Sequence, residues 1–153
     1  MVEIGNRAPN FSVPGAGGKT ITLSDYEGDW VVLYFYPKDD TPGCTTEAKD
    51  FSALSDQFKA RGAQIIGVSK DTVKKHDRFR DKHGLTVDLA SDETGNVCTD
   101  YGVWVEKNMY GKTYMGIQRA TFLIDPDGNI AEAWPKVKVN GHAAEVLDRI
   151  PHS

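Results

Sequence analysis

"VVLYFYPKDDTPGCTTEAKDF", residues 31–51, contains the change of element on which the fold turns. With the preceding Trp30, the span 30–37 is apolar almost throughout and rich in β-branched and aromatic residues. That is the pattern of a strand buried on both faces of a parallel or mixed sheet. Its length and its closing proline favour strand over helix. A short polar loop follows. From Cys44 to Lys59, the apolar residues Phe51, Leu54 and Phe58 recur at helical spacing, which predicts a helix.

Outward from this span the same alternation continues. "FSVPGAGGKTITLSDYEGDW" (11–30) predicts two short strands around a glycine-rich turn. "AQIIGVS" (63–69) is a second buried strand. "DTVKKHDRFRDKHG" (71–84) is a helix, with Asp71 as N-cap and Gly84 as its stop. "LTVDLAS" (85–91) is a short strand, and "DETGNVCTDYGVW" (92–104) a short helix followed by Gly102. "GIQRATFLIDPDGNIAEAWP" (116–135) is a hairpin turning at Pro126-Asp127-Gly128, and "NGHAAEVLDRI" (140–150) a closing helix with Asn140 as cap. Strands alternating with helices imply an α/β domain with helices on both sides of a central mixed sheet and an N-terminal hairpin extension. One domain over residues 1–153 is expected. A thioredoxin-like fold fits the order of elements.

The formal net charge of −4 argues against a nucleic-acid or anionic-membrane surface. No apolar run approaches the roughly 20 residues of a membrane helix. The start "MVEIGNRAPNF" lacks the basic and then apolar pattern of a secretory signal, so a cytoplasmic location is expected. "GAGGKT" imitates a phosphate loop, but the position five before Gly18 is Val13 and a strand-like run follows. A hairpin turn is the better reading.

Cys44 and Cys98 are the only cysteines. Two are too few for a disulfide scaffold, and no Cys/His spacing suggests a metal. Cys44 follows a buried strand and a polar, turn-forming loop, at the start of a helix. Unpaired N–H groups and the helix dipole there favour a thiolate. A free cysteine has a pKa of about 8.5. Lowering it by about 2 units needs roughly 2.7 kcal/mol. A helix terminus supplies about 0.3–1 kcal/mol, or about 2 in a sheltered site. A hydrogen bond to a charged donor adds roughly 1.5–3 kcal/mol. A cation beside Cys44 is therefore required. Thr41, three residues earlier, is placed to hold a substrate oxygen or the sulfur, or simply to cap the turn.

Pro37, Thr41 and Cys44 form P-x-x-x-T-x-x-C, which resembles the active-site signature of peroxiredoxins. "FYPKDDTPGCTTEA" (35–48) is similar to the PrxQ branch, also called bacterioferritin comigratory proteins. Further similarity lies in "DYGVW" (100–104), "GKTYMGIQRATFLIDPDGNI" (111–130) and "WPKVKVNGHAAEVL" (134–147). The resemblance implies a thioredoxin-like fold and reduction of hydrogen peroxide or organic hydroperoxides without a metal or organic cofactor. Cys44 would be the peroxidatic nucleophile, Thr41 would bond the peroxide, Pro37 would shield the sulfur and Arg119 would be the required cation. Gly43 would join Thr41, Cys44 and Arg119 around the substrate. Glu47 would bond Arg119 or cap the first turn.

Many PrxQ proteins carry a resolving cysteine five residues after the first, where this chain has Lys49. Cys98 is read as core packing, with resolution of Cys44 as the alternative. A one-cysteine mechanism follows, with thioredoxin, a glutaredoxin system or a small thiol as reductant. Two other readings are a thiol redox sensor and a cysteine hydrolase or transferase. The latter needs a histidine beside Cys44, whereas His76, His83, His142 and His152 read as surface helix positions. Trp104 and Trp134 read as core. The expected assembly is a monomer or weak homodimer.

Overall fold

Trp30–Phe35 forms the central strand, β3, of a five-stranded sheet in the computed structural model, which describes residues 1–152. Before it lie β1 (Ser12–Pro14) and β2 (Thr20–Thr22), an antiparallel pair. After it come α1 (Pro42–Ala53), α2 (Ser55–Ala60), β4 (Ala63–Ser69), α3 (Val73–His83), β5 (Asp88–Ser91), α4 (Asn96–Tyr101), β6 (Trp104–Met109), β7 (Lys112–Ile117), β8 (Ala120–Ile124), β9 (Ile130–Trp134) and α5 (His142–Asp148). The sheet order is β5-β4-β3-β8-β9. β3, β4 and β5 run parallel, whereas β8 is antiparallel to both β3 and β9. The sheet is mixed, as expected.

Alternation along β3 divides the interior in two. Val31, Leu33 and Phe35 join a core with Ile66, Phe122, Cys98 and Tyr101. Val32 and Tyr34, with Tyr36 beyond the strand, join a second core with Cys44, Phe51, Phe58, Phe79 and Val146. Successive strand side chains point to opposite faces, so these cores lie on opposite sides of the sheet. α1 is held down by Phe51, fully buried and stacked on Tyr34 at 4.8 Å between ring centroids. Truncating such a phenylalanine to alanine costs about 3–5 kcal/mol.

Several elements differ from the sequence reading. The helix over 44–59 is two helices, broken at Leu54 (φ −98°, ψ 3°). It begins earlier, with Pro42 at its first turn, where the missing N–H costs nothing. Thr72, not Asp71, caps α3, its Oγ1 accepting from Lys75 N at 3.2 Å. The Asp71 carboxylate instead accepts from Ser69 Oγ and the Asp39 backbone N–H. Gly141, not Asn140, precedes α5. The β6–β7 hairpin was not anticipated. Its signal was Tyr110-Gly111, both left-handed (φ 53° and 77°), the two-residue turn that suits a tight hairpin. No helix among the described residues is long and apolar enough to cross a membrane.

Candidate functional site

Register brings the site together. Phe35 pairs with Ala120, so Arg119, one residue before β8, stands at the end of β3 where the chain turns toward α1. Cys44 is the third residue of α1. Its N-terminal turn leaves backbone N–H groups without intrahelical acceptors. Arg119 Nη2 donates to Cys44 Sγ at 3.2 Å. Gly43 permits this approach, since a Cβ there would lie 3.2 Å from the same nitrogen.

The second arm of the guanidinium is also engaged. Arg119 Nη1 donates to Glu47 Oε1 at 2.7 Å. Cys44 and Glu47 are three residues apart and share a helix face, so one planar fork serves both. Glu47 is buried. That burial pushes its carboxyl up to about 7, with Arg119 pulling the other way and offsetting the effect only in part. For Arg119, burial acts to lower the pKa, but Glu47 and then Cys44 outweigh it and hold the guanidinium above its ordinary value. Arg119 therefore stays charged.

Thr41 precedes α1 and its carbonyl accepts from Thr45 N at 2.8 Å. Its hydroxyl does not cap the helix but donates to Lys38 O at 2.9 Å. With its proton so committed, Oγ1 is left as an acceptor. Pro37 opens the loop and is itself solvent-exposed. The cover over Cys44, 1% exposed, belongs to the cluster that holds Tyr34, Tyr36, Ala48 and Phe51.

Cys98 is elsewhere. It lies in the core on the opposite face of the sheet, and both cysteines are free thiols. Burial pushes the Cys98 thiol up, and the adjacent Asp92 carboxylate adds to this. Lys49 is exposed on α1.

The reading of the histidines as surface residues is corrected for His76 and His142, which are buried, whereas His83 is partly buried and His152 is exposed. His76 is fully buried and bonds Asp39 and Ala90 O. His142 is buried, with Nε2 2.8 Å from Thr121 Oγ1. Burial pushes His142 down to about 4, aided by Arg119 and opposed by Glu145. His83 bonds Asp40. Among the described residues, Arg119 is the side chain that bonds Cys44. Lys107, on β6, was also missed. Burial and then Arg119 lower its pKa while Cys44 opposes them, which sets it within electrostatic reach of the site. Single residues on a hairpin that the sequence reading did not contain could not be assigned to the site.

Comparison with known proteins identifies the family. Residues 4–133 match the AhpC/TSA family. The chain is 50% identical to the putative peroxiredoxin bcp of Coxiella burnetii over 97% of this chain and 99% of that one. It is similar to the bacterioferritin comigratory protein of Xanthomonas campestris, solved in work on that protein's alkyl peroxide reduction activity. The TM-score is 0.87 at 49% identity, covering 92% of this chain and 89% of that one. A Xylella fastidiosa PrxQ mutant gives a TM-score of 0.93 at 46% identity, covering 97% and 95%. These neighbours share the thioredoxin-like architecture of the mixed sheet. The chain belongs to the AhpC/TSA family as a peroxiredoxin of the Bcp/PrxQ branch, a thiol peroxidase.

Proposed function

We propose that Cys44 is the peroxidatic nucleophile and that the reaction runs by a one-cysteine route. The observation that carries this is the Arg119 fork, with one nitrogen 3.2 Å from Cys44 Sγ and the other fixed on Glu47. The Cys44 thiolate attacks the terminal oxygen of ROOH, an S–O bond forms and the O–O bond breaks. The departing RO⁻ takes a proton and leaves as alcohol, or as water when the substrate is hydrogen peroxide. Cys44 becomes a sulfenic acid. Arg119 stabilises the negative charge as it moves from sulfur to the departing oxygen. Thr41 Oγ1 accepts from the peroxide O–H. Gly43 keeps the approach open, and Pro37 shapes the loop at its mouth. Glu47 orients Arg119.

Regeneration needs two external thiols. The first attacks the sulfenic acid, releasing water and forming a mixed disulfide on Cys44. The second displaces Cys44 and leaves the reductant oxidised. Lys49 in place of a nearby cysteine and the placement of Cys98 across the sheet both support an external donor. Thioredoxin, a glutaredoxin system or a small thiol would fill that role. The protein acts as a single domain, in the cytoplasm, as a monomer or weak dimer.

Peroxide consumption is measured with each donor for the wild type, Cys44→Ser and Cys98→Ser. Turnover by Cys98→Ser at the wild-type rate with at least one donor, and none by Cys44→Ser, is expected. Loss of donor-driven turnover in Cys98→Ser would contradict the one-cysteine route.

A further inference from the structure

Residues 36–41 connect β3 to α1 and carry Thr41, three residues before Cys44. Outside regular structure, such a segment is held by its side chains. Two adjacent aspartates do this here, by different means. Asp40 is exposed and left-handed (φ 60°), and its carboxylate takes Lys82 Nζ at 2.7 Å and His83 Nε2 at 2.8 Å. Exposed pairs of this kind contribute little.

Asp39 is buried between exposed Lys38 and Asp40. Burying a carboxylate is costly unless it is well bonded. Its Oδ1 accepts from Tyr36 OH at 2.6 Å, and its Oδ2 lies 2.6 Å from His76 Nδ1. Its backbone N–H donates to Asp71 Oδ2 at 2.8 Å, and Asp71 is held in turn by Ser69 Oγ. His76 belongs to α3, and its other nitrogen, Nε2, lies 2.9 Å from Ala90 O on β5. The loop is thus tied to α3 and β5 through one buried pair, and to the end of β4 through the Asp39 backbone and Asp71.

The donor count shows how that pair works. A carbonyl oxygen only accepts, so Nε2 carries a proton. Nδ1 can then bond Asp39 only by sharing a further proton with it, as imidazolium and carboxylate or as imidazole and carboxylic acid. Both forms lock ring and carboxyl together at a fixed distance. The atoms of Asp39, Asp71 and His76 that cluster within 4.8 Å are engaged in this network.

We propose that the Asp39–His76 pair, braced by Tyr36 and Asp71, is a positioning device for the peroxidase reaction: it fixes the 36–41 loop so that Thr41 and Cys44 face one bound peroxide. This rests on the assignment of Thr41 and Cys44 above. None of the four residues is hydrogen-bonded to Cys44 or to the Thr41 hydroxyl. Their effect falls on alignment, and misplacement by about 1 Å can cost on the order of 100-fold in rate.

The test separates alignment from simple thiol reactivity. Attack on peroxide requires Thr41 and Cys44 in register, whereas alkylation by iodoacetamide requires only an accessible thiolate. Second-order rates for hydrogen peroxide and iodoacetamide at Cys44 are measured in a Cys98→Ser background, each labelled site being identified by peptide mass. His76→Phe and Asp39→Ala are expected to slow the peroxide reaction by about 10-fold or more while alkylation stays within about 2-fold. Tyr36→Phe, the mildest change, should slow peroxide by about 3-fold. Asp39→Asn should recover most of the peroxide rate, because an asparagine N–H can donate to neutral Nδ1 while its oxygen still accepts from Tyr36. If His76→Phe does not fold, Tyr36→Phe and Asp39→Asn decide the matter. Parallel loss of both rates across the series, an unchanged peroxide rate in folded variants, or Asp39→Asn behaving like Asp39→Ala would each overturn the proposal. Label on a residue other than Cys44 would instead overturn the nucleophile assignment on which it rests.

Discussion

Cys44 and Cys98 occupy the same local position in two different surroundings. Each is the third residue of its helix, and each is buried, at 1% and 0% exposure. Helix position and burial therefore cannot distinguish them; the charge each one faces does. At α1 no side chain caps the first turn, and Arg119 Nη2 reaches the sulfur. At α4 the Asp92 carboxylate accepts from the N–H groups of Val97 and Cys98 at 3.2 and 2.9 Å. The positive end of that short helix is already satisfied by an anion, and a thiolate beside it would meet like charge. The proposal that Cys44 rather than Cys98 is the reactive thiol rests on this difference: an uncapped helix start completed by a cation.

The sharpest way to break this contrast is to exchange serine for each sulfur. Cys44→Ser should lower peroxide turnover by more than about 1,000-fold, while Cys98→Ser leaves it unchanged. Arg119→Met keeps the bulk but removes the charge. Steady-state turnover should fall by about 100- to 1,000-fold, with the thermal midpoint measured in parallel to separate charge from fold. Thr41→Val removes one acceptor near the sulfur, and a loss of about 10-fold in kcat/KM is expected. An undiminished rate in Thr41→Val would show that the loop contributes shape alone.

The smallest effects are those of pH on stability, and they too follow local charge. The folded state keeps Glu47 protonated up to about 7, above its ordinary 4.5. Its contribution is present below pH 4.5 and is lost as pH rises through 7, by up to about 3 kcal/mol. His142 acts in the opposite sense, because its pKa is depressed to about 4 from 6.5. Its contribution is present above pH 6.5 and is lost as pH falls through 4, by up to about 3 kcal/mol. Between pH 4.5 and 6.5 the two slopes oppose and nearly cancel, so urea unfolding across pH 4–8 should show only a shallow maximum. Glu47→Gln should flatten the alkaline side and His142→Gln the acid side.

Much of the fold could be read from residue patterns because it depends on local periodicity. The run 30–37, the strand 63–69 and the stop at Gly84 follow from hydrophobic period and backbone freedom. Cys44 and Thr41 could be singled out from the loop and helix start that carry them, whereas Arg119, 75 residues away from Cys44, came only through the resemblance to peroxiredoxins. What was missed depends on packing between distant segments. His76 sits on a strongly charged helix, and nothing in "KKHDRF" shows that its side chain turns inward to Asp39. The break at Leu54 likewise has no proline or glycine to announce it. The side on which Cys98 lies follows from sheet topology, which spacing along the chain cannot supply.

The account rests most directly on the fate of the two sulfurs after oxidation. One equivalent of hydrogen peroxide is added to the fully reduced protein without reductant, and the intact mass and cysteine peptides are measured at once. Gain of one oxygen, located on Cys44, with Cys98 unmodified, is the predicted result. Loss of two hydrogens with a linked Cys44–Cys98 peptide would contradict it, as would oxygen found on Cys98.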